Sequence, residues 1–155
     1  MMILQIKKAL PWLILVTLTV GLLTISRIYP SILSDHNEFL EGFFDTDFLS
    51  VLGFMISISL ASAVNIHFRL IDYIEKSGIP LNGTLAKVRA SSLSLVVIFI
   101  LAFALVILKP VFACNPFWEG VFNSLGIVIL YFNVSVMNDL MQTALAIPPF
   151  PKSKK

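Results

Sequence analysis

The side chains in this sequence that perform covalent chemistry are few and scattered. The two histidines, His36 and His67, flank an apolar run and so fall on opposite sides of a predicted membrane span, where they cannot share a site. The single cysteine, Cys114, allows no internal disulfide, CxxC redox motif or cysteine metal cluster. No P-loop, GxGxxG, HExxH or GxSxG motif occurs, and no carboxylate pair lies inside an apolar run. The sequence therefore reads as a non-enzyme with no cofactor and no metal-ligand set.

What remains is chemistry of dipoles and fixed charges. Ser50, Gly53, Ser57, Ala61 and Asn65 recur at three- and four-residue spacing within one apolar run, which aligns them on one helical face. Ser59 and Ser62 are expected to widen that face. Small residues at this spacing let helices approach closely, so one reading is a packing seam. The other is a pore lining, because small and hydroxylated side chains leave room for hydrated ions and present dipoles to them. Asn65 would then form a polar ring near one end, whereas His67, two residues on and about 200° around the helix, faces elsewhere.

Two charged clusters flank this run. Asp35, Glu38, Glu41, Asp45 and Asp47 crowd residues 29–47, where a ring of such segments would form an outer acidic vestibule that concentrates cations. The alternative is a solvated acidic loop. The same segment carries Phe39, Phe43, Phe44 and Phe48, spaced for one face of a short helix that lies on the membrane or docks against a neighbouring subunit. Beyond the run, Lys76, Lys87 and Arg89 supply a basic surface that attracts anionic lipids or phosphates.

The elements that must position these residues are membrane helices. The 155 residues are 57% hydrophobic and 13% charged, with a mean hydropathy of +0.92, and the apolar residues fall in unbroken runs. Four runs approach the ~20 residues that cross a ~30 Å hydrocarbon core. Helices are predicted at about residues 9–28, 48–76, 91–108 and 121–147, joined by a cytoplasmic loop at 77–90 and followed by a basic tail at 148–155. The alternation of barrel strands is absent, so the fold class is all-α integral membrane, a single transmembrane domain over residues 1–155. The first run is too long for a signal peptide and lacks a small-x-small cleavage site, so it reads as a retained helix. Its only polar groups are Thr17, Thr19, Thr24 and Ser26, without the ionisable residue that proton-coupled transport needs. The second run continues without a breaker to Gly78 and is expected to extend into the cytosol. The third, almost wholly apolar, reads as a lipid-facing helix closed by Lys109 and Pro110. The fourth carries Asn123, Asn133, Ser135, Asn138 and Asp139, more polarity than lipid exposure favours.

Nine of the eleven lysines and arginines lie before the first helix, between the second and third, or in the tail, leaving Arg27 and Lys109 beside the other two loops. The cation bias places both termini and the middle loop in the cytoplasm.

The stretch FLSVLGFMISISLASAVNIHFRLIDYIEK over residues 48–76 resembles the L-A-S-A-x-N-[IL]-H segment of small membrane proteins of bacterial anti-phage defence loci, and in particular the Hailong-type transmembrane effector. The resemblance covers about a fifth of the chain closely and the four-helix plan loosely. It implies an inner-membrane channel whose opening depolarises an infected cell in abortive infection. Control would come from a partner nucleotidyltransferase through its short single-stranded DNA product.

The expected protein is thus a homo-oligomeric, gated ion channel in the lipid bilayer, a tetramer being one candidate assembly. The competing expectation is a non-conducting scaffold or accessory subunit in which the same face packs helices and the long second helix docks a cytosolic partner.

Overall fold

A computed structural model of the chain describes the backbone over residues 2–147 and side chains over residues 10–147. The basic tail at 148–155 lies outside the described residues. Seven helical elements follow one another: α1 (Met2–Ile28), α2 (Pro30–Leu33), α3 (Glu38–Gly42), a π-helical turn (Phe43–Asp47), α4 (Phe48–Ser77), α5 (Asn82–Phe112) and α6 (Pro116–Leu145). No strand occurs among the described residues.

Four of these segments are long and apolar enough to cross a membrane. Their outward surfaces carry Trp12, Leu13, Leu93, Ile100 and Phe103, each more than half exposed in the single chain. Apolar faces of this extent are stable only in lipid or against another protein, which marks an integral membrane protein.

Polar links fix the directions of the helices. Ser26 lies beside Ser124, the hydroxyls 3.1 Å apart, while the Tyr131 hydroxyl donates to the Pro11 carbonyl at 3.2 Å, so α1 and α6 run antiparallel. Ser91 reaches Asp139 at 3.4 Å near one end of α5 and α6, while Lys109 and Asn123 share Asp35 at the other. The bundle therefore has an acidic end, with α2, α3 and the π turn, and a basic end, with the α4–α5 turn.

Local chemistry sets the breaks. Pro30 opens α2 and Pro116 opens α6, both positions where the missing N–H costs nothing. The Asn115 side chain caps α6 by accepting from the Trp118 amide at 3.1 Å. At the basic end Gly78 takes φ +69°, a left-handed conformation that spares glycine the Cβ penalty, and its N–H closes on the Ile74 carbonyl.

Several boundaries differ from the sequence expectation: α1 starts at Met2 rather than near residue 9, α6 runs Pro116–Leu145 rather than 121–147, and α5 differs at both ends. The third helix begins at Asn82, not near residue 91, so the expected loop at 77–90 contracts to a short turn. The apolar run marked where lipid begins, whereas the helix continues beyond it through residues that tolerate water. It also continues past Lys109 and Pro110 to Phe112, since a proline in the last turn removes only one ladder bond. Nor is α5 merely a lipid-facing cover. Val88, Leu95, Ile98 and Ala102 are buried in the core against Phe48, Leu52, Ile56 and Ile66 of α4 and Leu140 of α6.

The aromatic segment also divides. Phe39 is exposed, while Phe44 and Phe48 are buried, their rings 5.0 Å apart. Phe44 lies where a Cβ on Gly126 would overlap its ring, so the glycine lets the π turn seat against α6. Phe44 and Phe48 thus pack within the bundle, Phe43 is half-buried between them and the surface, and Phe39 alone of the four stays exposed.

Candidate functional site

α4 presents two unlike faces. Phe48, Leu52, Ile56, Ser59, Ala63, Ile66, Leu70 and Tyr73 turn into the bundle. Ser50, Ser57, Ala61 and Asn65 are exposed on the opposite side, and Gly53 is half-buried, its outward position 3.6 Å from the Phe99 ring edge for an added Cβ. Ser50, Ser57, Ala61 and Asn65 therefore share one helix face that the rest of the chain leaves uncovered. Ser59 does not widen it, because two residues beyond Ser57 is about 200° around the helix, and Ser59 is buried. Ser62 is exposed but turned toward α6. The face is not uniformly small, since Phe54, Val64 and Phe68, all more than half exposed, alternate with the small residues.

The hydroxyls on α4 are satisfied locally. Ser57 donates to the Gly53 carbonyl and Ser59 to that of Met55, each at 2.8 Å. Asn65 has no hydrogen-bond partner among the described residues, so its amide is the one strongly polar group on the face that seeks a partner from outside. His67 is half-buried on the other side with Nδ1 unpaired and its ring centroid 6.2 Å from that of Phe68.

A polar clasp at the acidic end was not foreseen from the sequence. Lys109 is only 6% exposed, and its ammonium donates to Asp35 at 2.9 Å and Asp45 at 3.3 Å, 5.8 Å from the centre of the Phe44 ring. The fully buried Asn123 amide donates to the same Asp35 carboxylate at 3.0 Å and to the Leu33 carbonyl at 2.8 Å. The Asp35 backbone N–H in turn donates to Glu119 at 3.2 Å. One carboxylate thus gathers α5, α6 and the segment after α2. Of the five acids expected to form a vestibule, Asp35 and Asp45 are engaged here. Glu38, Glu41 and Asp47 remain exposed with no ion pair among the described residues.

At the basic end Lys76 pairs with Asp72 at 2.7 Å, and Lys87 and Arg89 are exposed on the first turns of α5. Between α4 and α6 runs an open groove of about 710 Å³, with Ser62, Asn65 and Arg69 on one wall and Met137, Met141 and Ala144 on the other. Arg69 was not singled out from sequence, although it is the first charged residue after Asp47, at the end of an uncharged stretch.

Mid-span, Asn133 is fully buried with both side-chain polar atoms unpartnered. Among the described residues no group of three or more His, Cys, Asp or Glu side chains could hold a metal ion. The available chemistry is charge placement and dipole presentation. No protein-family model, curated protein or solved structure matches the chain.

Proposed function

We propose that the protein is a homo-oligomeric gated ion channel with the outward face of α4 at its centre. The observation that carries this reading is the uncovered line Ser50, Ser57, Ala61 and Asn65, small or polar between Phe54, Val64 and Phe68, on a bundle whose outward surface is mostly apolar. Acyl chains do not satisfy an exposed amide, whereas a water-filled axis between copies does. Asn65 lies ~26 Å along the axis from Phe48, close to the far boundary of a ~30 Å core, so copies around the axis form a polar ring at the narrowing.

In this reading the basic end faces the cytoplasm, following the distribution of lysine and arginine, and α4 carries Asp72, Lys76 and its last turn into the cytosol. Glu38, Glu41 and Asp47, without an ion pair among the described residues, enrich cations at the outer mouth. The resemblance of residues 48–76 to the Hailong-type effector supplies the biological setting: a depolarising anti-phage channel of the bacterial inner membrane. Its gate answers to a nucleotidyltransferase and the short single-stranded DNA that enzyme makes.

The second reading, a non-conducting scaffold, is favoured by Phe54, Val64 and Phe68, whose bulk beside small residues suits helix packing. Planar-bilayer recording separates the two. The channel reading expects discrete currents, a lower unitary conductance in Asn65→Leu, and an open fraction that responds to short single-stranded oligonucleotides on the basic side. Silence from folded, oligomeric protein, with assembly lost in Asn65→Leu, establishes the scaffold.

A further inference from the structure

We infer that the groove between α4 and α6 is a binding site for a phospholipid with an anionic headgroup, its acyl chain lying between the helices and its phosphate at Arg69. This site stands independently of whether the protein conducts ions.

Length and depth are the first argument. From Ile58 to Arg69 the groove follows α4 for ~17 Å, close to the ~15 Å that one leaflet contributes to the hydrocarbon core. Residues 48–68 contain no Asp, Glu, Lys or Arg, and Arg69 ends that stretch, ~32 Å from Phe48. The guanidinium therefore sits at headgroup level while Ile58, Met137 and Leu140 sit at acyl-chain depth. At about 710 Å³ the groove lies within the ~300–1,000 Å³ usual for sites that hold small amphiphilic ligands.

Charge is the second. Arg69 forms no ion pair among the described residues. Asp72, the acid nearest it in sequence, is taken by Lys76 at 2.7 Å. Asp139 on α6 faces α5, where Ser91 reaches it at 3.4 Å, and it does not line the groove. The stretches outside the described residues contain no aspartate or glutamate. A planar guanidinium without a carboxylate, on the same side of the helix as the Ser62 hydroxyl, has the donor set that a phosphodiester accepts, and basic pockets between membrane helices hold anionic headgroups in this way. Met137 and Met141 add flexible, polarisable walls that adapt to a mobile chain.

The test is native mass spectrometry of the full-length protein with phosphatidylglycerol and phosphatidylcholine of matched acyl chains. The wild type should retain phosphatidylglycerol preferentially, and Arg69→Gln should lower that preference roughly fivefold, the share of one interfacial cation. Arg27→Gln, which removes an exposed cation at the opposite end of the bundle and outside the groove, should leave it nearly unchanged. Ala144→Trp, which fills the groove, should reduce retention of both lipids while circular dichroism stays helical. Equal losses from Arg69→Gln and Arg27→Gln would assign the preference to general surface charge and overturn the site. So would an absence of retained lipid together with intermolecular cross-linking of Ser62→Cys to Met141→Cys, which would give the groove to a second copy.

Discussion

Lys109→Met tests whether the clasp at the acidic end holds the segment at residues 29–47 in place. Methionine keeps much of the lysine volume and removes only the ammonium, so packing against Phe44 is largely retained. The link to Asp35 is a charge-assisted bond, whose loss costs about 1.5–3 kcal/mol. The Asp45 carboxylate is 59% exposed, so that arm adds only ~0–1 kcal/mol. Lys109→Met should therefore destabilise the protein by ~2–3 kcal/mol. Asp35→Asn alone should cost a similar ~2–3 kcal/mol, because it leaves the ammonium with one exposed partner, short of the full ~3–5 kcal/mol of a broken buried pair since the amide oxygen still accepts. The double variant removes both charges and should recover ~2 kcal/mol relative to the sum. Unfolding in mixed sodium dodecyl sulfate and dodecylmaltoside micelles, followed by circular dichroism, measures all four corners of the cycle. Hydrogen exchange should rise at residues 29–47 before it rises within α4. Costs that add to within ~0.5 kcal/mol would refute the coupling and reduce the clasp to two independent contacts.

Gly126→Ala should destabilise by ~1–3 kcal/mol, because its Cβ would overlap the Phe44 ring and stand 2.7 Å from Cζ. Adding Phe44→Leu should relieve much of that cost in the same micelle titration. Asn133→Leu should be neutral or stabilise the single protomer by ~1–2 kcal/mol, since it replaces a buried amide with no partner. If the wild type elutes as an oligomer in size-exclusion chromatography and Asn133→Leu does not, the amide's partner belongs to another copy.

The parts of this fold legible in sequence are those that lipid dictates. A hydrocarbon core demands long apolar runs and leaves no latitude in their length, so the start of α4 at Phe48 and the end of α1 at Ile28 were read directly. The start of α5 was not, because its first turns stand outside the apolar run, where helix and loop sequences look alike. The α4 face was legible because helical periodicity alone fixes which side chains align. The clasp was not, because its partners are distant in sequence: Lys109 meets Asp35 across 74 positions and Asp45 across 64. A cation at the edge of a span reads as a topology marker until something shows a carboxylate beside it. The polarity of α6 did announce that Asn123 needed a partner, but not that the partner was Asp35.

The two ends of the protomer handle charge in opposite ways, and this bears on where motion is possible. At the acidic end one buried ammonium, two carboxylates and an asparagine bind α2, the π turn, α5 and α6 into one unit, so this segment cannot shift without exposing Lys109. At the basic end the ion pair of Lys76 and Asp72 lies within α4 itself, and an open groove separates α4 from α6. Few polar ties cross that gap, and Ile66 and Leu70 of α4 share an apolar cluster with Val88 and Leu140, so rotation or tilt of α4 about the acidic end would work against apolar packing rather than against hydrogen bonds. Such a motion would carry Asn65 and Arg69 furthest, since displacement grows with distance from the pivot. A gate placed at Asn65 and a lipid placed at Arg69 would then respond to the same movement, and occupancy of the groove would bias the position of the ring.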